Sequence, residues 1–229
     1  VAVIEPDPGA GVQSINVRYP HMTAGTYDID PYLKKLIGKD TRAELLPDVN
    51  PRNDHVVQQK VCAAAGRFDD SDIVAVYYLN DSDGAGSGGV GAGHAAVLIV
   101  NSKGESLLFS YYPEGDKIFD APSEMRIGVY SSTGTESLLN GDNVIVVSTK
   151  GKVTREGYDR NIKYGVSNEN GYKMINEGAN VANENTTYDL LRHNCDHVAL
   201  QILAAGDIHL AKKTLPNNTY NENSDDDDD

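Results

Sequence analysis

Residues His94–Val100 read His-Ala-Ala-Val-Leu-Ile-Val, with no polar side chain after the first. A strand of that composition has no face to offer water, so it belongs inside a sheet that is covered on both sides. The flanking sequence agrees. Ile73–Leu79 is a second strand candidate. Lys103-Gly104 marks a hairpin turn, and Ser106–Tyr112 is the returning strand. Val144–Ser148 reads as a further buried strand, while 113–143 shows no sustained pattern and is expected to be irregular. Between the first two strands, 80–93 forms a loop with six glycines. It leads into a strand and lacks the Lys-Ser/Thr and following helix of a phosphate-binding loop, so it reads as a flap beside His94.

Helical signals lie on either side. Pro31 and Gly38 bracket a helix over 30–37. Asn53 or Asp54 caps another that runs to Ala65, with Cys62 late in it. A polar helix is expected over 168–185, with Tyr172, Ile175 and Ala179 on one side. The last begins after Asn194, carries Val198, Ile202 and Leu203 at helical spacing, and stops at Gly206. These signals divide the chain into a partly helical extension (1–65), a central domain (66–215) and an acidic tail expected to be disordered (216–229).

The 229 residues carry a net charge of −14, and Asp225–Asp229 close the sequence. So acidic a chain is a poor match for a phosphate backbone, and a nucleic-acid partner is not expected. No stretch approaches the roughly 20 apolar residues of a spanning helix, so stable membrane insertion is not expected either. The chain opens on Val, without the basic-then-apolar start of a signal peptide, and further sequence upstream is expected. Two cysteines are too few for a disulfide scaffold and read as independent thiols made in a reducing compartment.

Asn194-Cys195-Asp196-His197 opens its helix with a good capping residue. Cys195 then falls in the first turn, where free N–H groups and the helix dipole favour a thiolate, the nucleophilic form. On position alone the thiol is either a nucleophile or a small buried apolar group. A base is needed, and His94 stands at the mouth of the apolar strand. Cys62, too late in its helix to feel the dipole, reads as core packing. His193, Cys195 and His197 straddle a helix start and point in different directions, so zinc is not expected. No cofactor motif is found.

A strand histidine followed much later by a helix-opening Asn-Cys-[Asp/Glu]-His resembles the circularly permuted papain-like enzymes. These include permuted NlpC-type hydrolases and the lecithin:retinol acyltransferase-like group. Gly93-His94-Ala95-Ala96-Val97-Leu98-Ile99 with Phe109-Ser110-Tyr111-Tyr112 also looks like papain-like domains at the tips of some bacterial Rhs-type toxins. The resemblance covers about residues 70–210. It implies an α+β fold, a mainly antiparallel sheet with the nucleophile helix packed on it. It implies Cys195 as nucleophile, His94 as general base and a polar residue on the next strand to orient the ring. Ser110 is the candidate for that last role, with Ser106 and Glu105 nearby. The implied activity is a cysteine hydrolase acting on an amide or related acyl bond. A bacterial effector that cleaves peptidoglycan peptide is the leading form, made in the cytoplasm, secreted or delivered by a dedicated system, and matched by a cognate immunity protein. A phospholipase or acyltransferase on lipid acyl groups, and a non-catalytic binding module on the same scaffold, are the alternatives.

Overall fold

The structure is a computed structural model that describes residues 27–28, 42–45, 72–84, 92–149, 152–184, 186–213 and 215–224. Its strands are β1 (Tyr27–Asp28), β2 (Arg42–Leu45), β3 (Ile73–Asp81), β4 (His94–Asn101), β5 (Ser106–Pro113), β6 (Ala121–Tyr130), β7 (Val144–Ser148), β8 (Lys152–Glu156), β9 (Arg160–Gly165) and β10 (Thr187–Tyr188). The helices are α1 (Ser132–Leu139), α2 (Asn168–Asn183), α3 (Cys195–Ala205) and α4 (Pro216–Ser224).

One sheet runs β1-β2-β8-β7-β6-β5-β4-β3-β9, with β10 added to β6. It is antiparallel from β9 through to β8, and β2 joins β8 in parallel. Strand β4 lies inside this sheet and is buried along its whole length, as its composition demands.

The register fixes which side chains share a face. Tyr78, Val97, Phe109 and Ile127 are directly opposite one another on β3, β4, β5 and β6, so they point the same way. Helices α2 and α3 cover that face. The approach is close enough that a Cβ at Gly178 of α2 would lie 2.7 Å from the Phe109 ring. Burying a side chain such as Phe109 contributes roughly 1.5–3 kcal/mol. The far face carries His94, Ala96, Leu98, Ser110, Tyr112 and Arg126. Helix α1 lies against it, where the Ser106 and Thr135 hydroxyls pair at 2.7 Å.

Two sequence expectations about the fold need correction. Residues 113–143 are not irregular, because they hold the ten-residue strand β6 and helix α1. The tail at 216–229 is not wholly disordered, because Pro216–Ser224 forms α4 and buries Thr219. Its composition is polar, so tertiary contacts rather than an apolar stripe hold it. Strands β8 and β9 lie in a stretch with no sequence assignment. From the N-terminal extension, β1 and β2 add short strands to one end of the sheet. The helices expected at 30–37 and 53–65, and Cys62, lie outside the described residues, as does most of the glycine loop. Among the described residues no helix is long and apolar enough to cross a membrane.

Candidate active site

Helix α3 starts where the sequence says it should. The Asn194 side chain accepts the His197 N–H at 3.1 Å and donates to the Leu190 carbonyl at 2.7 Å, so the cap is tied to the loop before it. His197 adds a ring contact from Nδ1 to the same Asn194 oxygen at 2.7 Å. It supports the cap and makes no bond to the thiol. Asp196 is wholly buried and accepts from the Tyr78 hydroxyl and the Thr219 hydroxyl, both at 2.7 Å. The turn that carries Cys195 is thereby fixed to β3 on one side and to α4 on the other.

Helix α4 reaches this position because of Gly93. That residue has φ of +74°, and a Cβ there would stand 2.1 Å from the Asn217 side chain. Both facts favour glycine. Asn217 donates to the Ser82 carbonyl and accepts from Arg160, which closes α4 over the start of β4.

The Cys195 sulfur sits at the open end of the β4–β5 ladder. Pairing of these strands begins at Ala96↔Ser110, and the Ala95 N–H just before it favours the ionised form of the sulfur. The Tyr188 hydroxyl approaches the sulfur at 3.9 Å, and the Asp196 N–H also stabilises it. Cys195 is only 3% exposed. Burial pushes its thiol up to about 11, against these hydrogen bonds, and the neighbouring Asp196 charge adds to the rise. The expectation of a thiolate favoured by the helix start is therefore corrected. Desolvation is the largest influence on the thiol and favours its neutral form.

His94, one residue before Ala95, is held from the other side. Its Nε2 lies 2.7 Å from Ser110 Oγ, its ring stacks on Tyr112 at 4.0 Å, and its carbonyl accepts from Asn80. Strand alternation hangs the ring on the far face, while Ala95 faces α3. No hydrogen bond joins the thiol to the imidazole. Burial, with help from the Arg126 charge, lowers His94 to about 3, so the ring is neutral at ordinary pH. His94 and Ser110 are in direct contact, and Cys195 abuts the backbone between them. Neither Ser106, which pairs with Thr135, nor Glu105, which accepts from Asn101, reaches the ring.

Sequence reasoning missed the rest of the polar cluster. The Tyr158 hydroxyl lies 3.1 Å from Ser110 Oγ and donates to Glu156 through a short hydrogen bond. Arg126 pairs with Glu156 at 3.4 Å and Glu124 at 2.9 Å and lies over the Tyr112 ring at 3.7 Å. The only available signal was the alternation of β6, which puts Glu124 and Arg126 on the face opposite Met125 and Ile127.

A cavity of about 450 Å³ adjoins the first turn of α3, lined by Leu191, His197, Lys212, Lys213 and Asn218. Among the described residues no three His, Cys, Asp or Glu side chains cluster as a metal site would require. No protein-family model matches the chain, and neither a curated protein nor a solved structure matches it significantly.

Proposed function

We propose that the chain is a cysteine hydrolase of amide or related acyl bonds, with Cys195 as nucleophile, His94 as general base and Ser110 orienting the ring. One observation carries the reading. Cys195 opens α3, which packs on the face of β4 that Ala95 lines, and Ala95 is the residue beside a histidine whose ring is held by Ser110. A helix-start thiol, a strand-start imidazole and a polar residue on the next strand thus come from three distant segments to one end of the sheet.

The chemistry starts from a neutral pair. As Cys195 Sγ bonds to the substrate carbonyl carbon, its proton passes to the His94 ring, and the carbonyl π electrons move onto oxygen. The Cys195 N–H, at a helix start and so without an intrahelical partner, is a donor for that oxyanion. Collapse breaks the bond to the leaving group, which takes the proton from His94 and leaves a thioester. Water then attacks the thioester as His94 removes its proton, and expulsion of the sulfur releases the acid and restores the thiol. In this scheme the substrate fills the open end of the β4–β5 ladder.

The preferred substrate is a peptide with carboxylate groups, such as peptidoglycan peptide. The cavity next to α3 supports this, since it gathers Lys212 and Lys213 in a chain of net charge −14. A role as a bacterial effector, with an immunity protein as partner, accompanies that choice. To test it, purified peptidoglycan and phospholipid vesicles are incubated with wild type and with Cys195→Ala, and products are read by mass spectrometry. New amine and carboxylate ends from peptidoglycan, lost in Cys195→Ala, are expected. Release of fatty acid instead moves the substrate to lipid, and equal product from both proteins sinks the assignment of the nucleophile.

A further inference from the structure

The first turn of α3 fixes the tautomer of His197. The Asn194 amide nitrogen donates to the Leu190 carbonyl at 2.7 Å, and its oxygen accepts the His197 backbone N–H at 3.1 Å. Two backbone partners thus tell the oxygen of that side chain from its nitrogen. The oxygen has no proton to give, so its 2.7 Å contact with His197 Nδ1 requires the proton to be on Nδ1. A neutral imidazole carries one N–H, which leaves Nε2 as a bare lone pair. The ring is neutral at ordinary pH, because burial, with smaller effects from Lys212 and His193, lowers it to about 4. Among the described residues Nε2 has no hydrogen-bond partner.

The ring lines the cavity of about 450 Å³, together with Leu191, Lys212, Lys213 and Asn218. The walls are tied to one another. Thr219 accepts the Lys213 N–H at 3.1 Å and donates at 2.7 Å to Asp196, the neighbour of His197 in the helix turn. Ala211 is bound to Asn223 of α4 through both its N–H and its carbonyl, at 2.9 and 3.0 Å. Lys212 therefore stands on a segment held on both sides. Lys213 Nζ is paired with Glu222 at 3.0 Å, whereas no carboxylate pairs with Lys212 among the described residues. Asp196, on which the Lys212 charge also acts, is buried and already takes the Tyr78 and Thr219 hydroxyls. The cavity thus offers one unpaired positive charge and one strong acceptor. A single positive charge matches a carboxylate better than a phosphate monoester, which carries about two negative charges at pH 7. The bare Nε2 calls for an N–H or O–H beside that carboxylate. The last residue of a peptide has both, a free carboxylate and its own amide N–H. Leu191, 57% exposed, supplies an apolar wall for its side chain.

We infer that this cavity is a binding site for the free C-terminal residue of a peptide, with Lys212 holding the carboxylate and His197 Nε2 accepting the amide N–H. Only in making that peptide the substrate does the assignment rest on the hydrolase reading.

Full-length Cys195→Ala protein tests it, so that no probe is consumed. Titration calorimetry at pH 7 compares acetyl-alanyl-alanine with its C-terminal amide, with the compound methylated on the last amide nitrogen, and with inorganic phosphate. The free acid is expected to bind. The amide and the N-methyl compound should each bind at least about tenfold more weakly, since each loses one of the two contacts. Lys212→Gln should weaken the free acid by a similar factor and leave the amide unchanged. In ¹⁵N-histidine-labelled protein, the His197 signals are identified by their absence from a His197→Gln sample. Nδ1 is expected to carry the proton, and the Nε2 signal should move when the free acid is added. A protonated Nε2 in the ligand-free protein overturns the proposal without any further variant. So do equal affinities for acid and amide, no detectable binding of the acid, or full affinity in Lys212→Gln. Phosphate bound more tightly than the acid moves the site to a phosphate ligand and overturns the peptide assignment. Binding of the free acid without hydrolysis by the wild type leaves the site standing and removes the enzyme. Hydrolysis that needs Cys195 but is indifferent to a free C-terminus and to Lys212→Gln does the reverse.

Discussion

The most direct consequence of the site is the behaviour of its thiol. Alkylation by iodoacetamide proceeds through the thiolate, so its rate at a given pH follows the ionised fraction. With the Cys195 thiol at about 11 rather than the ordinary 9.0, about 10⁻⁴ of it is ionised at pH 7, against about 10⁻² for a free thiol. Ionisation alone therefore slows the native protein by about 100-fold, and 3% exposure slows it further. The assay is best done in a Cys62→Ser background, so that one thiol is read by mass spectrometry, with the urea-unfolded chain as reference. The native rate should be at least about 100-fold below the unfolded one at pH 7 and should rise about tenfold per pH unit to beyond pH 10. A native rate that levels off below pH 8 would refute the reasoning. It would mean that the helix start and the Ala95 N–H outweigh desolvation, with a thiolate present at rest.

Other predictions concern pH, the helix latch and packing. For a neutral pair, kcat/KM should stay flat from an acid limb near 3, where His94 takes a proton, to a basic limb near 11, where Cys195 loses one; limbs near 5 and 8 would argue for a preformed ion pair. Stability shifts with the same thiol. Its folded value lies above the unfolded one, so its contribution is whole below pH 9 and lost as pH rises through 11. Urea titrations should lose about 2–3 kcal/mol across that window relative to Cys195→Ser. Thr219→Ala removes a hydroxyl that donates to buried Asp196 and should cost about 1–3 kcal/mol by urea unfolding, a loss that an unlatched α4 would not show. Gly178→Ala would stabilise an exposed helix by about 1 kcal/mol, but here its Cβ meets the Phe109 ring at 2.7 Å, so a loss of roughly 1–3 kcal/mol in thermal unfolding is expected.

What could be read from sequence follows from what kind of signal each element carried. Strand β4 was plain because seven residues with a single polar member leave no choice of face. Helix α3 was plain because the Asn194 cap and the apolar spacing agreed, and α2 because Tyr172, Ile175 and Ala179 fall on one side. Strand β6 was passed over although Met125, Ile127 and Val129 alternate with Glu124, Arg126 and Gly128. Glu124 and Arg126 on its second face belong to a buried cluster rather than to solvent. Helix α4 had Pro216 at its first position as its only mark, and its stability comes from Asp196, Arg160 and Gly93, all distant in sequence. For the site, Cys195, His94 and Ser110 were visible because each opens an element or follows a chemical pattern. Glu156, Tyr158 and Arg126 were not, because only strand register brings them to Ser110, and no single sequence states its own register.

The grip of α4 on Asp196 gives the molecule a weak joint. Only the stretch 206–215 connects the end of α3 to the segment that clamps the beginning of α3. A protease nick in that connection would leave each strand and α3 covalently whole, yet Thr219 and Asn217 would then be held by non-covalent contacts alone. Their departure would strip a buried carboxylate of one partner and uncover the entrance to β4, so a single cut remote from the sulfur would loosen the turn that holds it.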